Sequence, residues 1–359
     1  MRGALRERVL TLIRRLSGGR QDPRTRDRLL WDIALFQRDR VEAYARLWAS
    51  RPPAGQLAPA LPSDVFRFAR VATFPPRLER RVFLTSGTTS GLRGRHPFRD
   101  LSLYDQAAEA AARLALFGAE ERMRLAILAP HPSEVPESSL SYMLGRFEDW
   151  FGRETAWVWG HPGGLDVELL VRTLDLAVEV GEPLGLLGTT FAFVHAEDRL
   201  GGRRWTLPEG SVVMPTGGTK GRSREVAPDA LTAALGARYG IRRERVIGEY
   251  GMTELSSQLY ASPLPATRGA ATPPGPGRYW APGWVRTTVV DPETLAPVPP
   301  GTVGVLRIDD AANLDSVSAI QTADLAIQHP DGLELRGRAP GAVPRGCSLA
   351  IEEALRDPG

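Results

Sequence analysis

The alternation of apolar and polar positions divides the chain into helices and short strands. Residues 4–16 and 25–48 carry apolar side chains at helical spacing, which predicts two amphipathic helices at the N-terminus. From residue 82 onward, short apolar runs alternate with helical patterns, and this alternation favours an α/β layered domain with parallel-rich sheets. The predicted strands cover 82–84, 124–129, 156–159, 184–187 and 211–214, and the predicted helices cover 102–117, 138–150, 166–180 and 228–238.

The pattern changes after about residue 262. Residues 262–283 are rich in proline and glycine, which predicts a loop, and three short apolar runs follow it. These runs, at 284–290, 304–308 and 333–335, predict a small β-rich subdomain. We therefore expect an N-terminal helical cap at 1–60, an α/β core at 61–283, the β-rich subdomain at 284–338 and a short mobile tail at 339–359.

The composition argues against several classes of protein. The single cysteine, Cys347, excludes an internal disulfide and a thiolate zinc site. No run approaches the roughly 20 apolar residues of a membrane span, and the basic N-terminus lacks an apolar signal core, so we expect a cytoplasmic protein. The net charge is only +3, with arginines spread along the chain, which does not indicate a nucleic-acid surface.

One lysine stands among the many arginines. Lys220 is the only lysine of the chain, and it lies in the loop Thr216-Gly-Gly-Thr-Lys-Gly221 directly after an apolar run. The lysine ammonium is a compact, mobile point charge, whereas the arginine guanidinium is a planar fork. Lys220 is therefore a candidate for a catalytic role that arginine cannot fill. The alternative is that one lysine remained by chance in a chain whose coding bias favours arginine.

A loop of small hydroxyl residues and glycines follows the strand at 82–84. In Thr85-Ser-Gly-Thr-Thr-Ser-Gly91, glycine lets the backbone approach a ligand closely, and hydroxyls and N–H groups can surround phosphate oxygens. Arg93, Arg95 and His96 follow and add positive charge. The spacing is not that of the Walker motif. A polar surface loop without function is the alternative.

Two further segments carry candidate ligand groups. In Val246-Ile-Gly-Glu-Tyr-Gly-Met-Thr-Glu254, the tyrosine ring can stack on a purine, the threonine can bond a phosphate, and the carboxylate suits Mg²⁺. An ordinary turn with a helix cap is the alternative. In the second segment, Asp324 follows a predicted strand and could hold ribose hydroxyls, while Arg338 could reach the same sugar or the phosphate.

In this order and spacing, the three segments resemble motifs of the adenylate-forming superfamily of acyl-CoA synthetases, firefly luciferases and peptide-synthetase adenylation domains. The resemblance covers roughly residues 60 to 355 and implies an ATP- and Mg²⁺-dependent ligase, with Glu254 as the metal ligand and Thr253 as a catalytic residue. The residues expected to bind ATP are Thr85, Ser86, Gly87, Thr88, Thr89, Ser90, Gly91, Gly217, Gly218, Glu249, Tyr250, Gly251, Met252, Thr253, Asp324 and Arg338.

Four segments extend the resemblance: Ser90-Gly-Leu-Arg-Gly-Arg-His96, Pro136-Glu-Ser-Ser-Leu-Ser-Tyr-Met143, Gly217-Gly-Thr-Lys-Gly221 and Arg345-Gly-Cys-Ser-Leu349. With them, the chain most resembles the long-chain acyl-protein synthetase family, the synthetase subunit of fatty acid reductase, within that superfamily. This similarity implies a fatty acid substrate, transfer of the acyl group from AMP to Cys347, and an NADPH-dependent acyl reductase as partner. Coenzyme A, an amine or a carrier-protein thiol could instead accept the acyl group. A non-catalytic adenylate-binding subunit is the third hypothesis.

The chain also departs from the superfamily pattern. It ends shortly after Arg338, so we expect the full C-terminal domain, with the lysine that this domain delivers, to be absent. The usual lysine of the phosphate loop is also missing, with Leu92-Arg93 in its place. We therefore expect Lys220 to supply the cation that adenylation requires. His131 is a candidate for the acid pocket, and a loop histidine without function is its alternative.

Overall fold

The architecture is known from a computed structural model that describes residues 1–53, 55, 57–85, 92–118, 122–160, 163–217, 227–261 and 277–339. Its helices are α1 (Arg2–Leu16), α2 (Pro23–Arg38), α3 (Glu42–Ser50), α4 (Ser102–Ala112), α5 (Ser139–Phe151), α6 (Val167–Val180), α7 (Thr190–Leu200) and α8 (Pro228–Tyr239). A π-helical turn, Arg113–Phe117, continues α4.

The strands form two larger sheets and two hairpins. They are β1 (Leu61–Pro62), β2 (Arg81–Leu84), β3 (Arg95–Phe98), β4 (Met123–Leu128), β5 (Gly152–Trp157), β6 (Trp159–Gly160), β7 (Gly164–Leu165), β8 (Leu184–Thr189), β9 (Val212–Thr216), β10 (Gly248–Tyr250), β11 (Leu259–Ala261), β12 (Val285–Val290), β13 (Val303–Asp310), β14 (Ala319–His329) and β15 (Gly332–Arg338).

The larger sheet has the order β11-β10-β9-β8-β4-β5, and all of its pairs are parallel except β10 with β11. We call it the parallel sheet. The other sheet has the order β1-β14-β13-β12, with β15 antiparallel to β14, and we call it the antiparallel sheet. Strands β2 and β3 form a separate hairpin. The prediction of an α/β fold with parallel-rich sheets is therefore confirmed.

Two buried cores lie on opposite faces of the parallel sheet. The larger core includes apolar residues of α1, α2, α4 and α5, and it extends to the antiparallel sheet through residues such as Ile308 and Ile320. The smaller core contains α6, α7 and α8. Successive residues of β9 face opposite cores, Val212 the larger and Val213 the smaller, as the period of a strand requires. Among the described residues, no helix combines the length and hydrophobicity of a membrane span.

Side-chain caps determine where several helices begin. Asp22 accepts a hydrogen bond from the Thr25 backbone N–H at 3.1 Å, and Pro23 occupies the first turn of α2. Thr189 caps α7 in the same way, so that this helix follows β8 without a loop. Periodicity did not predict α7. The predicted helix at 25–48 is two helices, because α2 ends at Arg38 and a new helix begins at Glu42.

The antiparallel sheet differs from the prediction in one respect that concerns the site. The segment 319–329 is a single long strand, and Asp324 lies in its middle, whereas we expected this residue to follow a strand. The pairing of β14 with β15 shifts register between Asp324 and Ala326. Such a bulge re-aims side chains locally, and here it places Asp324 opposite Arg338.

Gly188 provides a test of the close packing between β8 and β4 in the parallel sheet. A Cβ atom at this position of β8 would lie 2.6 Å from both the carbonyl oxygen and the Cβ of Leu128 on β4. We expect Gly188→Ala to lower the free energy of unfolding by about 2 kcal/mol or more, because two paired strands would have to separate. Urea unfolding would measure the loss. Gly3→Ala is the control, since nothing lies within 4 Å of a Cβ there. Equal stability of the two variants would contradict the packing.

Candidate active site

The site begins at the carboxyl ends of β9 and β10, where α/β sheets place their ligand contacts. Thr216 ends β9 and is the register partner of Glu249 on β10. Its hydroxyl donates a hydrogen bond to Glu249 Oε2. Burial raises the pKa of Glu249 to about 7, although the bond from Thr216 opposes the shift. A Cβ at Gly251 would lie 2.5 Å from Glu249 Oε1, so any larger residue in this turn would have to displace the Glu249 carboxyl.

The turn after β10 carries Thr253 and Glu254. The Glu254 side chain is buried, and burial raises its pKa to about 7, while the positive charge of Arg338 acts in the opposite direction. The carbonyl oxygen of Glu254 accepts a hydrogen bond from Asn313 Nδ2 at 2.8 Å. The Thr253 hydroxyl lies 3.5 Å from Ser139 Oγ at the start of α5. The turn is therefore fixed by its backbone as well as by its side chains.

Tyr250, Asp324 and Arg338 form a second group beside this turn. The Tyr250 hydroxyl donates to Asp324 Oδ2 at 2.8 Å, and Arg338 Nε lies 3.8 Å from Asp324 Oδ1. Burial and the adjacent Asp324 charge raise the pKa of Tyr250, so the phenol remains protonated and donates. The two sheets meet at this bond. The structure thus brings together Tyr250, Glu254, Asp324 and Arg338, a set that we call the acidic cluster.

The predicted phosphate loop connects β2 to β3. Its stem is closed by two hydrogen bonds, from Thr85 N to Gly94 O at 2.9 Å and from Gly94 N to Thr85 Oγ1 at 2.7 Å. Arg93 donates to the Thr85 carbonyl at 2.7 Å and pairs with Glu137 at 3.2 Å. Residues 86–91 lie outside the described residues, so the predictions for Ser86, Gly87, Thr88, Thr89, Ser90 and Gly91 stay predictions.

His96 corrects one expectation about this loop. We expected it to add positive charge, but its ring is buried and burial lowers its pKa to about 4. Its Nδ1 lies 2.6 Å from the Thr253 carbonyl oxygen. Because a carbonyl cannot donate, the neutral ring carries its hydrogen on Nδ1. His96 therefore connects the β2–β3 hairpin to the turn that carries Glu254.

The remaining predicted residues divide into described and undescribed ones. Gly217 follows β9 with a φ of 74°, and its carbonyl accepts from Thr190 Oγ1 at 2.7 Å. His131 bonds Ser133 at 2.6 Å and packs edge-on against Trp157, with ring centroids 4.8 Å apart. Met252 lies in the turn beside the Tyr250 hydroxyl, at 3.9 Å. Gly218, Lys220 and Cys347 lie outside the described residues.

Sequence reasoning missed the buried residues that support the turn. Asp310 accepts from the Ser256 backbone N–H at 2.9 Å and from the Ser257 hydroxyl at 2.8 Å, and its pKa is raised by burial to about 6. Asn313 Oδ1 also accepts a hydrogen bond from the Ser256 hydroxyl at 3.2 Å. Neither residue lies in a recognisable motif. Asp310 ends β13 and Asn313 lies in the loop after it, and the sequence does not reveal that this polar segment is buried.

A divalent cation fits this site only together with a nucleotide. Among the described residues, no group of three His, Cys, Asp or Glu side chains could hold a metal ion by itself. Glu254 nevertheless supplies a buried carboxylate beside Asp324. Mg²⁺ is commonly held by one or two carboxylates and by substrate phosphates, so the donor set fits Mg²⁺ bound with ATP.

Comparison with solved structures identifies the architecture. An open conformation of 2-hydroxyisobutyryl-CoA ligase in complex with 2-HIB-AMP and CoA has 15% sequence identity, with a TM-score of 0.59 over 88% of this chain and 76% of that chain. The chain has the adenylate-forming fold. The same ligase in its thioesterification state gives 15% identity and a TM-score of 0.58 over 86% of this chain and 66% of that chain.

A third structure in the comparison is ATP-bound MatB from Rhodopseudomonas palustris. It has 17% identity and a TM-score of 0.47, and the match covers 72% of this chain and 47% of MatB. No protein-family model and no curated protein matches the chain. The chain spans about two thirds to three quarters of the length of the 2-hydroxyisobutyryl-CoA ligase structures.

The buried Glu249 predicts a dependence of stability on pH. Its pKa is raised from 4.5 to about 7 in the folded state, so its contribution is full below pH 4.5 and is lost as pH rises through 7. The wild type should therefore lose stability between pH 4.5 and pH 8, whereas Glu249→Gln should not. We expect the unfolding free energy of the variant relative to the wild type to rise by about 1–3 kcal/mol over this range, as urea titrations at the two pH values would measure.

The control for this comparison is Glu168→Gln, which changes an exposed glutamate on α6. We expect its effect on stability to be the same at both pH values. A Glu249→Gln variant with the same pH-independent behaviour would show that the Glu249 carboxyl ionises normally in the folded protein.

Proposed function

We propose that the protein activates a carboxylic acid with ATP. A carboxylate oxygen of the acid attacks the α-phosphorus, the bond to the bridging oxygen breaks, and pyrophosphate leaves as acyl-AMP forms. The observation that carries this proposal is the acidic cluster, which lies at the edge of the parallel sheet where the Glu254 turn also meets the phosphate-loop hairpin through His96. The fold shared with 2-hydroxyisobutyryl-CoA ligase supports the same chemistry.

Each residue of the cluster has a role in this proposal. Asp324 accepts hydrogen bonds from the ribose hydroxyls, and Arg338 lies close enough to Asp324 to reach the same sugar. The ring of Tyr250 stacks on adenine, and the Thr253 hydroxyl bonds a phosphate. Glu254 would hold Mg²⁺, which supplies positive charge to the phosphates when it is bound.

Lys220 has the role of the cation at the α-phosphate. It follows β9 in a segment whose first residues are held on both sides, because Thr216 bonds Glu249 and Thr190 bonds the Gly217 carbonyl. In-line attack brings a carboxylate towards a phosphate, and a positive charge between them offsets their repulsion. The single lysine of the chain suits this task.

Cys347 has the role of acyl acceptor. Its thiolate attacks the carbonyl carbon of acyl-AMP, the C–O bond to phosphate breaks, AMP leaves, and a thioester remains on the protein. A fatty acid is the substrate that the acyl-protein synthetase resemblance suggests, and an NADPH-dependent acyl reductase or a carrier protein would take the acyl group onward. Coenzyme A or an amine as acceptor is the competing form of this function, and it does not require Cys347.

Activation can be tested on Glu254 and Lys220, the two charged residues that the proposal assigns to the metal and the α-phosphate. We expect Glu254→Gln and Lys220→Ala each to lower acid-dependent pyrophosphate release by about 10²–10³-fold, because each removes a charge that stabilises the reacting phosphates. A coupled pyrophosphate assay over a panel of carboxylic acids gives the measurement. Glu293→Gln, at an exposed position, is the matched control. Unchanged release in either variant would remove that residue from the mechanism.

The acceptor can be tested by radiolabel. Wild-type protein incubated with ATP, Mg²⁺ and a labelled acid is expected to retain label on a denaturing gel, and hydroxylamine should release it as expected for a thioester. Cys347→Ser should lose the label and keep pyrophosphate release, whereas Ser348→Ala, at the neighbouring position, should keep both. Pyrophosphate release without protein label would favour a separate acceptor molecule, and neither signal with any acid would favour a binding subunit.

A further inference from the structure

His96 lies where the phosphate-loop hairpin contacts the rest of the site. It is on β3, two residues after Gly94 closes the loop stem, and it is the register partner of Phe83 on β2. Its ring is 1% exposed and packs between Phe98, with ring centroids 4.2 Å apart, and Phe66, at 5.5 Å. The aromatic contacts therefore fix the plane of the imidazole.

The imidazole joins two segments that are distant in the sequence. Nδ1–H donates to the carbonyl oxygen of Thr253, which is 157 positions further along the chain, at 2.6 Å. The residue that follows Thr253 is Glu254, the expected Mg²⁺ ligand. This buried hydrogen bond connects the stem of the predicted phosphate loop to the backbone beside Glu254, and the imidazole also interacts with the Asn313 side chain.

The other supports of the turn come from elsewhere. Asn313 holds the Glu254 carbonyl at 2.8 Å, and Asp310 holds the Ser256 N–H at 2.9 Å. Asp310 is the last residue of β13 in the antiparallel sheet, and Asn313 lies in the loop between β13 and β14. They fix the turn relative to that sheet, whereas His96 relates it to the hairpin.

We propose that His96 is a positioning residue that holds the β2–β3 hairpin, at the stem of the predicted phosphate loop, against the Thr253–Glu254 turn in the arrangement that MgATP requires. The proposal rests on the proposed function, because it assumes that both segments contact the same nucleotide. ATP phosphates bound by the loop and a metal held by Glu254 must meet in one geometry. A loose connection between the two segments would weaken MgATP binding without removing any group that touches it.

Two nearly isosteric variants separate this role from simple packing. Asparagine places its amide N–H near the position of Nδ1 and can keep the bond to Thr253, whereas glutamine places its amide near Nε2 and cannot. We expect His96→Gln to weaken MgATP binding by about 10–100-fold in calorimetry, as outer-shell partners of metal sites do. His96→Asn should stay within a few-fold of the wild type.

The effect of the His96 bond on the stability of the turn can be measured without nucleotide. Amide hydrogen exchange in the peptide that covers residues 251–257 should become faster in His96→Gln and remain slow in His96→Asn. Phe83→Leu is the packing control, since it removes a buried ring on β2 that packs against Tyr104 and Tyr142 and leaves the donor in place. This control should lower the thermal midpoint but change neither the exchange of 251–257 nor the affinity for MgATP.

Each outcome decides between the proposals. Equal MgATP affinity in His96→Gln and His96→Asn, or a loss in His96→Gln that Phe83→Leu matches, would overturn the positioning role. Faster exchange in His96→Gln with unchanged affinity would overturn it as well. If wild-type protein binds MgATP but activates no acid, the proposed function fails while the affinities still test His96. If wild-type protein binds no MgATP, both proposals fail.

Discussion

The segment from Gly251 to Ser257 is largely buried, and neither a helix nor a strand pairs its backbone groups. Buried N–H and C=O groups without partners would each cost about 1–3 kcal/mol, so the fold must supply other partners. Side chains of His96, Asn313 and Asp310 do so. The position of the site thus depends on satisfying the backbone of one irregular segment.

This requirement extends to the N-terminal helices. Gln37 on α2 is fully buried, and its amide donates to the carbonyls of Asn313 at 2.8 Å and Leu314 at 3.1 Å. Its oxygen accepts from the Ser318 N–H at 2.9 Å. Helix α2 therefore fixes the loop that carries Asn313, and this loop in turn supports the Glu254 turn. A helix distant in sequence from every motif thus contributes to the geometry of the site.

The sequence predicted the parts of this arrangement that depend on local patterns. Apolar runs such as 124–129 indicated buried strands because burial on both faces requires continuous hydrophobicity. Tyr250, Glu254, Asp324 and Arg338 were all identified from the order of three motifs, and the structure brings them together. Local patterns were sufficient here because each motif is a short loop or strand that itself contains the proposed ligand groups.

The supporting residues could not be predicted in this way. His96 pairs with Thr253 over 157 positions and Gln37 with Asn313 over 276, so no local period relates the partners. His96 was interpreted as a charge because the sequence does not reveal burial, and burial is what makes the ring neutral. The helix α7 was missed because its cap, Thr189, is also the last residue of the preceding strand.

The bond between Tyr250 and Asp324 joins the two sheets at the proposed nucleotide site. Tyr250 is the last residue of β10 in the parallel sheet and Asp324 lies in the antiparallel sheet, so the bond at 2.8 Å fixes one sheet against the other. The raised pKa of the phenol keeps it a donor, and a carboxylate has about four acceptor positions. One of them binds Tyr250, and the others can accept ribose hydroxyls. The same carboxylate can therefore hold the sheets together and bind the nucleotide.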